Sequence, residues 1–173
     1  MTKRRAPASP SADPAPAPAP PLPAATAAQP EPELAPATTG ASETIRATKL
    51  FAADLLAEPA SAALRRGMKT LEVSERLVQL CDIEAMAQVR AARPEFDPDI
   101  VVAYAMAPTS IDGGELAASG AAFRSRREWY GLKFRCTALA DLSAVTAFSF
   151  SVGELIPHEL WEGYYLTAEE SDE

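Results

Sequence analysis

The segment WYGLKFRCTA, Trp129–Ala138, decides the fold. Tyr130, Leu132, Phe134, Cys136 and Ala138 fall on alternate positions, with Lys133, Arg135 and Thr137 between them. A period of two is the mark of a β-strand with one buried and one wet face. VTAFSFSV, Val145–Val152, repeats the pattern, with Phe148, Phe150 and Val152 inward and Ser149 and Ser151 outward. Two amphipathic strands separated by a short polar connection predict an antiparallel pair.

Outward from this pair, DIVVAYAM (Asp99–Met106) is apolar on both faces and predicts a covered, central strand. Asp112–Gly113 is a hairpin signal, and a short strand is expected from about Leu116 to Arg124. The half before these strands reads as helix. ATKLFAADLLA and EPASAALRRGM carry apolar residues at helical spacing, with Pro59 at a first turn and Gly67 as a stop. VSERLVQLCDIEAMAQVRAARP is the clearest helix, with Ser74 as its N-cap and Pro94 beyond its end. IPHELWEGYYL starts a short amphipathic helix at Pro157. The predicted fold class is α+β: N-terminal helices on one face of a three- to four-stranded antiparallel meander, with a short C-terminal helix.

Eleven of the sixteen prolines lie between Pro7 and Pro36. Fixed φ and missing N–H groups exclude this stretch from helix and sheet interiors, and it has few large apolar side chains to offset ordering. Residues 1–43 are expected to be a disordered Pro/Ala-rich spacer of polyproline-II character. Residues 44–167 then form a single α+β domain, long enough to bury a core without metals. Residues 168–173 read as an acidic C-terminal tail.

The net charge of −8 opposes general nucleic-acid binding, so no nucleic acid is expected as a partner. No apolar run is long enough to span a membrane, and no apolar segment follows MTKRR as in a secretory signal. Two cysteines and one histidine without ligand spacing argue against a metal, and no motif points to a cofactor or a catalytic residue. His158, at a helix start, has no nucleophile or carboxylate supplied by a motif.

Three features draw attention. Helical projection places Glu84 in the middle of the face shared by Val73, Leu77, Leu80, Cys81 and Ala87. A carboxylate there needs a partner or a raised pKa, and with an arginine such as Arg124 it would make a small-ligand or enzyme pocket. The alternative is a helix break at Cys81–Asp82, with Asp82 capping a second helix and Glu84 turned to solvent. Cys81 and Cys136 lie on the helix and on the apolar strand face, and they either join or remain two free core thiols. Arg124, Arg126 and Arg127 precede the Trp129 strand, and Lys133 and Arg135 lie on its polar face. Together they are a candidate anion- or partner-binding strip, or simply a solvated strand face.

SERLVQLCDIEAMAQVR, FDPDIVVAYAMA, GAAFRSRREWYGLKFRC and GELIPHELWE, in this order over roughly residues 47–166, resemble the bacterial domain-of-unknown-function family numbered 930, found mainly in rhizobia and alphaproteobacterial relatives. That resemblance implies no activity, cofactor or catalytic residue. It implies an exported or membrane-anchored domain, in some members behind a proline-rich spacer. Cys81 and Cys136 match the family's cysteine positions, which implies a disulfide in an oxidising periplasm. The expected role is a non-enzymatic cell-envelope domain that binds a protein or envelope component. Either an export segment precedes Met1 in the native protein, or the protein is cytoplasmic.

Overall fold

The computed structural model describes residues 42–167. The spacer expected over residues 1–43 and the tail over 168–173 lie almost wholly outside these residues.

The chain runs through β1 (Ile45–Arg46), α1 (Ala52–Ala57), a 3-10 turn (Pro59–Ser61), α2 (Ala62–Met68) and α3 (Val73–Ala92). It continues with β2 (Pro98–Val102), β3 (Ser110–Asp112), β4 (Glu115–Ser125), β5 (Glu128–Ala138) and β6 (Val145–Leu155). It closes with α4 (His158–Trp161) and a second 3-10 turn (Glu162–Tyr164). The fold is α+β. The sheet has six antiparallel strands in the order β1-β6-β5-β4-β2, with β3 also paired to β4.

The sheet is therefore larger than the three to four strands expected. Its meander is β4-β5-β6, as the alternation predicts, but β1 and β3 have two and three residues, too few to show a period. The central position expected for Asp99–Met106 is also corrected. Strand β2 stops at Val102 and ends the strand order, and the most enclosed strand is β4.

α3 covers one face of the sheet. Leu77, Leu80, Ala85 and Val89 of the helix join Leu116, Phe123, Leu132, Phe134, Phe148 and Phe150 of the strands in the main core. The expected break at Cys81–Asp82 does not occur: α3 is continuous for twenty residues. The intrinsic helix propensity of an aspartate costs only about 0.5 kcal/mol, too little to break a helix that the Cys81 and Glu84 contacts hold on either side of it. The helix starts at Val73 with Glu72 as its cap, in place of Ser74, and Val73 is exposed rather than on the buried face.

The opposite, outer face is covered over half its length. Trp129, Ala122, Ile156, Trp161 and Leu166 form a second small core where the C-terminal segment folds back. Trp129 Nε1 donates to the Thr167 carbonyl at 2.9 Å, and Trp161 Nε1 to the Ile156 carbonyl at 2.8 Å.

One irregularity makes both faces possible. Between the pairs Ala118↔Phe134 and Ala121↔Leu132, β4 advances three residues while β5 advances two. The extra residue is a β-bulge, and it keeps Phe123 on the α3 face although Leu116 and Ala118 differ from it in parity. Gly120 sits in the bulge, and its carbonyl accepts the Met106 N–H at 2.7 Å. A Cβ on Gly120 would lie 2.4 Å from the Ala107 nitrogen, so only glycine lets the loop after β2 pass so close.

Candidate functional site

The five basic residues of the candidate strip do not form one patch. Arg124 is on β4 beside Trp129 and is nearly inaccessible. Its guanidinium holds Asp99, with Nη2–Oδ2 at 2.7 Å and Nε at 3.1 Å from both carboxylate oxygens. This forked geometry fixes the β2–β4 pairing beneath the C-terminal segment.

Arg126 and Arg127 are the two loop residues between the paired Ser125 and Glu128. Both have positive φ, 53° and 70°, which a tight two-residue hairpin requires and which suits Asn-Gly better than two arginines. They sit at the end of the hairpin, about 20 Å along the strand from Lys133. Nearby, His158 Nε2 is 3.2 Å from Glu128, and the His158 ring stacks on Trp161 at 3.9 Å. Sequence motifs had supplied His158 with no carboxylate; the fold brings Glu128 to it across thirty residues.

Lys133 and Arg135 do belong together, on the uncovered half of the outer face. The pairing register builds a row Arg46–Ser149–Arg135–Ala117 across β1, β6, β5 and β4. Directly opposed antiparallel residues share a face, so Arg46 and Arg135 flank Ser149. The next row is Ser151–Lys133, with the bulge residue Ser119 alongside. Small side chains between the cations leave a shallow hollow of about 250 Å³ that includes Lys133, Arg135, Ser119, Ser149, Ser151 and Thr44. A second hollow of about 430 Å³ continues from Arg135 and Ser149 to Arg46 and Thr137. Arg135 pairs with Glu115 at 2.9 Å across an exposed surface. Such a pair contributes less than about 1 kcal/mol and exchanges readily for another anion. Lys133 makes no ion pair with another described residue. Arg46 and Ser119 do not figure in the sequence reading, and Ser149 and Ser151 figure there only as outward strand residues, because only the strand register puts them beside Lys133.

Glu84 is buried completely, so it does not turn to solvent. Its Oε2 accepts the N–H groups of Ala52 at 2.7 Å and Phe51 at 2.9 Å, and its Oε1 accepts from Gln88 Nε2 at 2.6 Å. Gln88 Nε2 also donates to the Lys49 carbonyl at 2.6 Å. A carboxylate at the start of α1 satisfies main-chain donors that have no partner inside the helix. Glu84 thus ties α1 to α3, and Arg124, committed to Asp99 on the other side of the sheet, makes no pocket with it.

Its neighbour Asp82 is a different case. It is 8% exposed, and its Oδ1 has no hydrogen-bond partner among the described residues. Burial pushes its carboxyl from an ordinary 3.8 up to about 8. Of the two readings of this helix from sequence, the one with a break made Asp82 a cap, and neither placed it as a buried carboxyl.

Cys81 and Cys136 are joined by a disulfide, with Cα atoms 5.9 Å apart and a sequence separation of 55 positions. It bolts α3 to the inner face of β5. Among the described residues no cluster of His, Cys, Asp and Glu is arranged to hold a metal ion, and no helix is long and apolar enough to cross a membrane.

Compared with known proteins, residues 68–166, more than half of the chain, match the family model described as Domain of Unknown Function (DUF930). No curated protein and no solved structure matches the chain.

Proposed function

The chain belongs to the DUF930 domain family, and on that premise we propose that it is a non-enzymatic binding domain of the cell envelope. It works in the periplasm, carried on its proline-rich N-terminal segment, and binds a protein or envelope component through the open half of its outer sheet face. One observation carries the binding role: Lys133, Arg46 and Arg135 gather over a floor of serine and alanine, in a chain whose net charge is −8. Exposed cations held over small side chains are open to an anionic ligand. The Cys81–Cys136 disulfide supports the compartment, since such bonds persist in oxidising surroundings.

The enzyme reading through Glu84 and an arginine has no such support, because Glu84 spends its oxygens on Phe51, Ala52 and Gln88. Two experiments test the proposal. Thiol labelling of intact cells and of their periplasmic fraction should find the protein in that fraction with both cysteines blocked. Recovery in the cytosol with two reactive thiols overturns the location. Binding to a native envelope extract should be weakened by Lys133→Glu with Arg135→Glu. Equal retention by the native and doubly substituted chains overturns the binding face.

A further inference from the structure

A row of directly opposed residues, Ile111–Leu116–Cys136–Phe148, crosses the inner face of β3, β4, β5 and β6. The last three are buried in the main core under α3. Ile111, at the end of the row, is left 40% exposed. Val73, the first residue of α3, is 64% exposed. Between these two side chains lies a groove of about 530 Å³, lined also by Leu77, Ala140 and Leu142. Exposed apolar side chains gathered in one place within a polar rim mark an interaction surface.

The walls of the groove are fixed. The Ala138 N–H donates to the Gly114 carbonyl at 2.8 Å, which seats the β3–β4 turn on the end of β5. Arg76 donates to the Met68 and Leu71 carbonyls at 3.2 and 3.1 Å and holds the loop that leads into Val73. Asp141 accepts from both the N–H and the hydroxyl of Ser143, with Leu142 held between them at a φ of 57°. A preformed groove spends less on ordering when a partner enters. Its charge is one-sided. Glu72 lines it, Asp112 stands between Ile111 and Gly113, and Asp141 between Ala140 and Leu142, all three exposed. None of them makes an ion pair with another described residue, and no residue lining the groove is basic. The hydrogen bonds from Ser143 hold the Asp141 carboxyl below its usual range, so it keeps its charge in mild acid.

The chain's own ends leave the described structure elsewhere: Thr44 lines the hollow that includes Ser151, and Thr167 is held by Trp129 at the other end of β5. β3 offers an edge of three residues, too short for an added strand, so the fit is of side chains into a groove, as for an amphipathic helix. We propose that the groove between the first turn of α3 and the β3–β4 hairpin docks a basic amphipathic helix of a partner protein. Its apolar side chains meet Val73, Leu77, Ile111 and Leu142, and its lysine or arginine side chains meet Glu72, Asp112 and Asp141. This surface lies on the inner side of the sheet, so the inference does not rest on the binding role of the outer face.

The test uses the full chain and a labelled peptide of about twelve residues with leucines and lysines at helical spacing. A peptide with Glu in place of Lys and another with Ser in place of Leu serve as comparisons. The leucine–lysine peptide should bind, shift the amide resonances of Ile111, Gly113 and Leu142, and lose about tenfold in affinity with Val73→Ser and again with Glu72→Lys. Both positions are exposed, so the two variants should keep the native thermal midpoint. Glu72→Asp should retain binding, which separates charge from packing. Binding without shifts at Ile111, Gly113 and Leu142, or no binding, overturns the site. Equal binding of the serine peptide overturns the apolar groove, and equal binding of the glutamate peptide overturns the basic partner. Self-association of the chain that Glu72→Lys abolishes identifies a second copy as the occupant and overturns a separate partner.

Discussion

The carboxylate of Glu84 accepts the main-chain N–H of Ala52 at 2.7 Å, thirty-two residues away in sequence, and so holds α1 on α3 from its first residue. Phe51 and Gln88 donate to the same carboxylate. Truncation in Glu84→Ala leaves the Phe51 and Ala52 donors buried without partners. The expected loss is roughly 3 kcal/mol, as for hydrogen bonds to a charged group. Urea unfolding measures it, and a loss below about 1 kcal/mol means that α1 is held mainly by other contacts.

Cys81 and Cys136 close a loop of 55 residues in the middle of the core. The chain-entropy relation assigns such a loop about 4 kcal/mol of stabilisation. Reduction of the native protein should lower its urea midpoint by that amount, with the sheet retained in far-ultraviolet dichroism. An unchanged midpoint shows that packing of α3 on β5 suffices without the bond.

Asp82 makes stability depend on pH in an unusual direction. Burial raises its carboxyl to about 8 in the folded state, while the unfolded chain keeps the ordinary 3.8. Between these values the folded protein holds a proton that the unfolded chain has released, so stability falls as pH rises. The expected slope from this group is of order 1 kcal/mol per pH unit, absent below pH 4 and finished above pH 8. Asp82→Asn should flatten the stability curve across this window. A variant whose curve parallels the native one refutes the assignment to Asp82.

Arg126 and Arg127 occupy left-handed backbone positions at the β4–β5 turn. Each such non-glycine residue costs roughly 1 kcal/mol. Replacing the pair by Asn and Gly should therefore raise the thermal midpoint. A lowered midpoint indicates that the two guanidinium groups make contacts worth more than the strain.

Gly120 faces the loop after β2 at a distance that excludes any side chain. Gly120→Ala should cost about 1–3 kcal/mol, in the range of overpacked sites. The Met106 amide, bonded to the Gly120 carbonyl, should then exchange faster with solvent. Unaltered exchange at Met106 shows that the loop can move aside without loss.

Period and punctuation were legible along the chain. The alternation of Leu132, Phe134 and Cys136, and of Phe148 and Phe150, marked the two long strands and their inner face. The run before Pro94 marked the long helix, and Asp112–Gly113 marked a turn. These features are local, and side-chain alternation within ten residues expresses them fully. β1 and β3 are too short for any period, and the extra residue at Gly120 shifts the pattern of β4 halfway along.

Partnership was decided by the tertiary structure alone. Five arginines and lysines close in sequence are dispersed to a buried clamp, a hairpin tip and an open face, because a strand carries its ends far apart and the C-terminal segment covers only the Trp129 half of the outer face. Arg46 and Lys133, eighty-seven positions apart, meet only through the register of β1, β6 and β5. Glu84 looked like a reactive group on an apolar helix face, and the N–H groups that occupy it come from Phe51 and Ala52, which no helical projection can place. The sequence by itself determined which side of each element is apolar, since hydrophobic burial needs only spacing. Which polar groups pair depends on distances between elements, and those exist only once the sheet has closed its register.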